Sequence, residues 1–223
     1  PDNNSGGPAF GLWVALPSGG ALVELPVYEP ESARVQVIHN SADAAAAVVD
    51  VWLDDALLLD DFAFRTASPF IDAPAGEEFT ISIKGPDSQD PSDPIWSMNY
   101  TLAEGETYVL VANGIVSGSG YDPPTPFDIY VYDMGRENAI DVSNTDVLVF
   151  HGSTDAPTVD VVEIGVGAGT IVDDLMYSDF QGYLELQTVN YVLDIRDETG
   201  QNSVAAFSAP LADLGLEGAA LVT

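Results

Sequence analysis

His39, Ser41 and Asp43 alternate along RVQVIHNSADA, and His151, Ser153 and Asp155 repeat that spacing in DVLVFHGSTDA. These are the residue types of a nucleophilic triad, in which the base sits between nucleophile and acid. Consecutive residues leaving a strand point in alternating directions, which does not bring three groups to one point. The spacing predicts a turn instead, with Ser and Asp bonding nearby backbone N–H groups and His packing across it. As metal ligands, the two His residues occupy equivalent positions of separate copies, unlike the close four-ligand set of a closed zinc site. Asp87, Asp90 and Asp93 in DSQDPSD offer the oxygen cluster that calcium prefers, and Asp54-Asp55, Asp60-Asp61 and Asp173-Asp174 add acidic density. That loop lacks the ligand alternation and Gly of an EF-hand, so solvated acidic surface is the competing reading. Trp13, Trp52 and Trp96 are candidates for a sugar platform or, at strand spacing, for core and interface aromatics. Among 36 acids no pair of glycosidase carboxylates stands out. The expectation is a protein that is not an enzyme, with no cofactor unless calcium.

The elements that hold these residues read as strands. ARVQVIH, FTISIK, TYVLVAN, FDIYVYD and TDVLVFH alternate at period two, with turn residues in PAG, GPDSQD, AEG and DETGQN between them. Gly 20 and Pro 15 among short Val/Ile/Tyr/Phe runs point to an all-β protein, and no segment carries a helical stripe. With 223 residues, 46% of them hydrophobic, the chain is long enough for one large or two ordinary domains and can bury a core. No window approaches the length of a membrane helix, so membrane insertion is not expected, and a start at Pro1 suggests processing from something longer. Five basic residues against 36 acids give a net charge of −31, which sets aside nucleic acid and anionic membranes as partners. Such acidity suits high salt, where screening removes self-repulsion, or divalent cation binding. Cysteine is absent, so there are no disulfides and no thiol chemistry.

The chain repeats itself. His39 aligns with His151, Ser41 with Ser153, Asp43 with Asp155, Asp50 with Asp160, Asp60-Asp61 with Asp173-Asp174, and Phe70 with Tyr183. FTISIKGPDSQ lies over YVLDIRDETGQ, and LAEGETYVLVA over LADLGLEGAALVT. The first copy continues into TPFDIYVYDMGRENAIDVS, which reads as two strands around a turn near Gly135. The second copy reaches Thr223 without such a tail, yet PAFGLWVALPSGGALVELPV near the start has its shape. There Phe10 matches Phe127, Leu12 matches Ile129, Trp13 matches Tyr130 and Val14 matches Val131. The organisation expected is a tail or donor β-hairpin over 1–27, a connector over 28–33, a β-sandwich over 34–143 and a second over 145–223 lacking its final hairpin.

The pattern R-V-x-V-x-H-x-S-x-D-A, then V-D-V and an aromatic-rich strand after T-A-S-P, resembles the domain-of-unknown-function family 4397. Arg34, Val35, Val37, His39, Ser41, Asp43, Ala44 and Val49-Asp50-Val51 carry it; the second copy keeps His151, Ser153, Asp155, Ala156, Pro157 and Val159-Asp160-Val161 but has Asp146 in place of the Arg. The resemblance implies an extracellular β module, found as tandem repeats in secreted and cell-envelope proteins, with no activity to carry over.

The fold expected is therefore two tandem antiparallel, immunoglobulin-like β-sandwiches of about seven strands each, the second completed by the N-terminal hairpin of the same or a neighbouring chain. An unfilled edge is a template for strand addition. The function expected is a secreted or cell-surface structural subunit that polymerises with itself head to tail. Its interface residues would be Phe10, Leu12, Trp13, Val14, Leu22, Val23 and Leu25 of the donor hairpin. The alternative is a monomeric surface module for adhesion, ligand binding or carbohydrate contact, closed by its own hairpin.

Overall fold

A computed structural model describes residues 11–26 and 31–223. The chain divides into two units, 1–31 and 32–223. In the first, β1 (Trp13–Val14) pairs antiparallel with β2 (Val23–Glu24), Trp13 opposite Glu24 and Val14 opposite Val23. Leu25 N–H donates to Leu12 O at 2.7 Å, and Gly19 N–H to Leu16 O closes the turn, where Gly19 and Gly20 take positive φ.

The second unit is all β except for one 3-10 turn over Ala44–Ala46. Its first half contains β3 (Ser32–His39), β4 (Val48–Leu53), β5 (Ala56–Ala63), β6 (Thr66–Ala67), β7 (Ile71–Pro74), β8 (Glu78–Lys84), β9 (Trp96–Thr101), β10 (Thr107–Asn113) and β11 (Asp128–Tyr132). One sheet runs β5-β4-β8-β9; the other runs β11-β10-β3-β6, with β7 also on β3. Val35, Val37, Leu110 and Ile129 from one sheet meet Val49, Val51, Phe79 and Ile83 from the other in a core that also holds Phe127. The second half contains β12 (Asn144–Phe150), β13 (Val159–Glu163), β14 (Gly169–Leu175), β15 (Phe180–Gln187), β16 (Asn190–Asp197), β17 (Ser203–Pro210) and β18 (Ala220–Val222). Its sheets run β14-β13-β16-β17 and β15-β12-β18.

The two inner sheets pack outer face to outer face. Val109 and Val111 of β10 and Leu148 of β12 are buried together, with Ile38, Phe70, Tyr132, Phe150, Phe180, Tyr183 and Val222 around them. The second unit is thus four layers deep, and β10 and β12 are covered on both faces. That is why TYVLVAN and TDVLVF are near-continuous apolar runs and not clean alternations.

The segment 133–143 joins the halves as an irregular stretch, not as the second strand of a hairpin around Gly135. Its polar groups are drawn outward to both sides. Gly135 N–H donates to Thr107 O; Arg136 pairs with Asp146 (2.6 Å) and Glu185 (3.0 Å) over the Tyr183 ring; Glu137 accepts from Arg34. Asp146, which replaces the motif arginine, is therefore buried against an arginine supplied by the linker.

Candidate functional site

His39 donates from Nε2 to the Ala46 carbonyl (2.7 Å), and His151 does the same to Pro157 O (2.9 Å). A carbonyl only accepts, so the proton is on Nε2, and Nδ1 faces the N–H of Ser41 or Ser153 at 3.4 Å. Burial lowers the His39 pKa, although its bond to Ala46 pulls the other way. Ser41 Oγ donates to Gly114 O at 2.6 Å, and Asp43 faces the 114–125 loop. His39, Ser41 and Asp43 make no triad; they knit a turn. Trp52 is buried with Nε1–H on Ser88 Oγ, on the face of β4 opposite Val49 and Val51, while Trp96 packs edge-on against Phe127 at 5.4 Å at the first core.

Asp50 and Asp160 have a local task that the sequence did not disclose. β4 and β13 each break register with their neighbour at this residue, and a bulge leaves an N–H outside the ladder. The buried carboxylate takes it up: Asp50 from Asp61 N–H (2.9 Å), Asp160 from Asp174 N–H (2.8 Å), both donors at positive φ. Asp50 also accepts from Ser88 N–H and Oγ; burial raises its carboxyl, but these donors outweigh it and hold the pKa low. Asp50, Asp60 and Asp61 bring one oxygen each within 4.8 Å of the others, the one such trio among the described residues. Asp87, Asp90 and Asp93 do not form another. Asp87 and Asp93 sit at positive φ in the loop and Asp90 accepts from Ser92.

The largest contrast lies between the two cores. In the first, β11 runs antiparallel to β10 with Ile129 opposite Ala112 and Val131 opposite Leu110, driving Phe127 and Ile129 inward. The space left there is about 30 Å³. In the second, β18 stands where β10 does: Ala220–Val222 run parallel to Asp146–Leu148 as Thr107–Val109 run parallel to Arg34–Gln36. Asn138 bridges to Ala219, but beyond it no described strand of residues 32–223 pairs with the outer edge of β18.

The result is an apolar cleft of about 670 Å³ between the β15-β12-β18 and β14-β13-β16-β17 sheets. Val149, Leu184 and Leu221 line one wall; Val161, Leu193, Ala205, Phe207 and Ala209 line the other. Where Trp96 and Tyr100 face Ile83 and Phe79, the smaller Ala205 and Ala209 face Ile195 and Tyr191. Phe207 is 57% exposed at the rim.

The hairpin unit has the converse property. Leu12, Val14, Val23 and Leu25 share one face by register and are all exposed, Leu12 at 63%; Trp13 and Leu22, also exposed, lie on the other face. Phe10 lies outside the described residues.

No curated protein matches the chain. The model of one family, Domain of unknown function (DUF4397), matches residues 33–129. That span runs from the start of β3 into β11, through the strand that closes the first core, so the similarity to this family lies in the first sandwich.

Proposed function

We propose that this protein is a non-catalytic structural subunit, secreted or displayed at the cell surface. It assembles head to tail by placing its N-terminal hairpin on the open edge of a neighbour's second sandwich. One observation carries the reading. The position filled by β11 in the first sandwich has no described counterpart in the second, where a cleft of about 670 Å³ replaces about 30 Å³. The hairpin offers the matching side chains, Leu12 for Ile129 and Val14 for Val131, on an exposed aliphatic face. Thr223 continues β18, bonded to Leu148 O and Phe150 N–H. In the register of β11, Val14 comes opposite Thr223. Strand addition of this kind combines main-chain bonds with apolar pockets, and a contact between unlike surfaces propagates unless it closes on itself.

A non-catalytic role is supported by His39 and Ser41, whose Nε2 and Oγ are both engaged by carbonyls. The test is particle size in high salt, by light scattering with negative-stain microscopy. Fibres are expected from the whole chain and none after deletion of residues 1–27. Wild-type particles of 23.5 kDa would overturn the reading and favour a monomeric module, and so would fibres formed by the deletion variant.

A further inference from the structure

His39 ends β3 with 1% of its surface exposed, and its ring lines the first core against Phe62 (5.9 Å between centroids) and Phe64 (6.1 Å). Both ring nitrogens are engaged. Nε2–H donates to Ala46 O and Nδ1 faces the Ser41 N–H, so a second proton on the ring would set two N–H groups against each other with no acceptor between them. Among the described residues no carboxylate bonds to the ring. Asp43, in the same turn, is taken up by Ala45, Ser117 and Tyr121. Asp50 lies on the face of β4 opposite Val49 and Val51, Asp128 on the face of β11 opposite Phe127 and Ile129, and Asp60 and Asp61 of β5 are exposed. The one cation beside it, Arg65, donates its backbone N–H to His39 O and lays its guanidinium over the Phe64 ring.

The turn that the ring supports also fastens the 114–125 loop. Ser41 Oγ donates to Gly114 O (2.6 Å), where the chain leaves β10. Asp43, itself 1% exposed, accepts from Ser117 N–H (2.6 Å), Ser117 Oγ (2.8 Å) and Tyr121 OH (3.1 Å), and Tyr121 OH accepts from Ala44 N–H (2.8 Å). Ile115 N–H donates to Thr125 O, and Phe127 N–H to Ile115 O, so the seating of Phe127 in the core follows the loop.

We propose that the His39 turn is an acid-sensitive catch: the neutral ring holds the 114–125 loop and the start of β11 in place, and a proton taken up on Nδ1 releases them, baring the first core at Phe127. The catch does not depend on whether copies assemble. Burial, the larger influence, lowers the His39 pKa below the ordinary 6.5, with the Ala46 bond opposing it. A folded state that prefers the neutral ring is at full stability above 6.5. It loses stability as pH falls below that value towards the folded pKa, because the opened chain takes up the proton first. Asp43 stays ionised throughout this window: burial raises its carboxyl, but its donors outweigh burial and hold it low.

The experiment follows hydrogen exchange of the full chain by mass spectrometry in high salt, at about pH 7.5 and about pH 5, with rates corrected for the intrinsic effect of pH. In wild type, protection of the 114–125 segment should fall about tenfold or more in acid while β8 stays protected; a His that titrates at 6.5 when opened allows roughly thirtyfold at most. His39→Gln keeps an N–H for Ala46 O and an oxygen for the Ser41 N–H but takes up no proton, so its segment should be equally protected at both values. Ser117→Ala, which removes one tie to Asp43, should loosen the loop severalfold at both values and leave the pH dependence in place. Should His39→Gln not fold, NMR of the two wild-type imidazoles replaces it: the His39 ring should still be neutral at 6.5, where protection of the Ser117 amide has begun to fall. Wild-type protection indifferent to pH, a His39→Gln segment that still loosens in acid, a loop that exchanges only together with β8, or a His39 ring that titrates at or above 6.5 would each overturn the catch.

Discussion

Glu163 is buried at the end of β13, where burial by itself would raise its carboxyl, yet its pKa is held down at about 2. The cause is a cradle of backbone donors: Gly165, Val166, Gly167 and Ala168 N–H from the following loop, and Val192 N–H from β16. Its folded pKa lies below the ordinary 4.5. Its contribution to stability is therefore complete above that value and is lost as pH falls from 4.5 towards about 2, because the unfolded chain takes up the proton first. Urea midpoints taken in high salt should fall over this range. Glu163→Gln should be less stable at neutral pH and should show a shallower acid slope; equal slopes would refute the cradle. The sequence pointed to His39, Ser41 and Asp43 because their types are conspicuous. Glu163 offered no such signal beyond a glycine-rich run after it, since its role depends on N–H groups that converge only once the loop folds back.

Between β10 and β11 the chain turns at Gly114, with φ +94°. A Cβ there would lie 2.3 Å from Pro126 O and 2.8 Å from Phe127 Cα, both backbone atoms that cannot yield cheaply. Gly114→Ala should cost about 2–4 kcal/mol, from a left-handed conformation combined with overpacking. Because the clash sits where β11 enters, the loss should come with new binding of an apolar dye to the opened first core. Unchanged stability in chemical denaturation would show that the loop relaxes freely. The strands themselves were legible in alternating residues, as FTISIK and FDIYVYD illustrate. The tail around Gly135 was misread, because its polar side chains alternate like a strand's but are used as ties to two different sheets.

At the scale of the whole molecule, a net charge of −31 would set the terms of the proposed contact between copies. Self-association should strengthen about tenfold or more between 0.1 M and 2 M NaCl, as the screening length shrinks from about 10 Å to a few Å. Light scattering against salt checks this, and salt-independent association would show that charge repulsion does not govern the contact. The faces of the two inner sheets are occupied by one another through Val109, Leu148 and their neighbours, so a neighbouring copy would meet the outer layers and the open edge.

The sequence by itself determined the all-β class, the repeated His-Ser-Asp turns, the resemblance of the first sandwich to a known family and the acidic composition. Each is written in local spacing or in composition, which need no knowledge of what packs where. Only the tertiary structure decided that Asp50 and Asp160 serve bulges, that Arg136 and Glu137 tie two sandwiches, and how the two cores differ in the space left among the described residues. Those facts depend on groups distant in the chain meeting across sheets. The same apolar residue is core or cleft wall according to whether a strand lies over it.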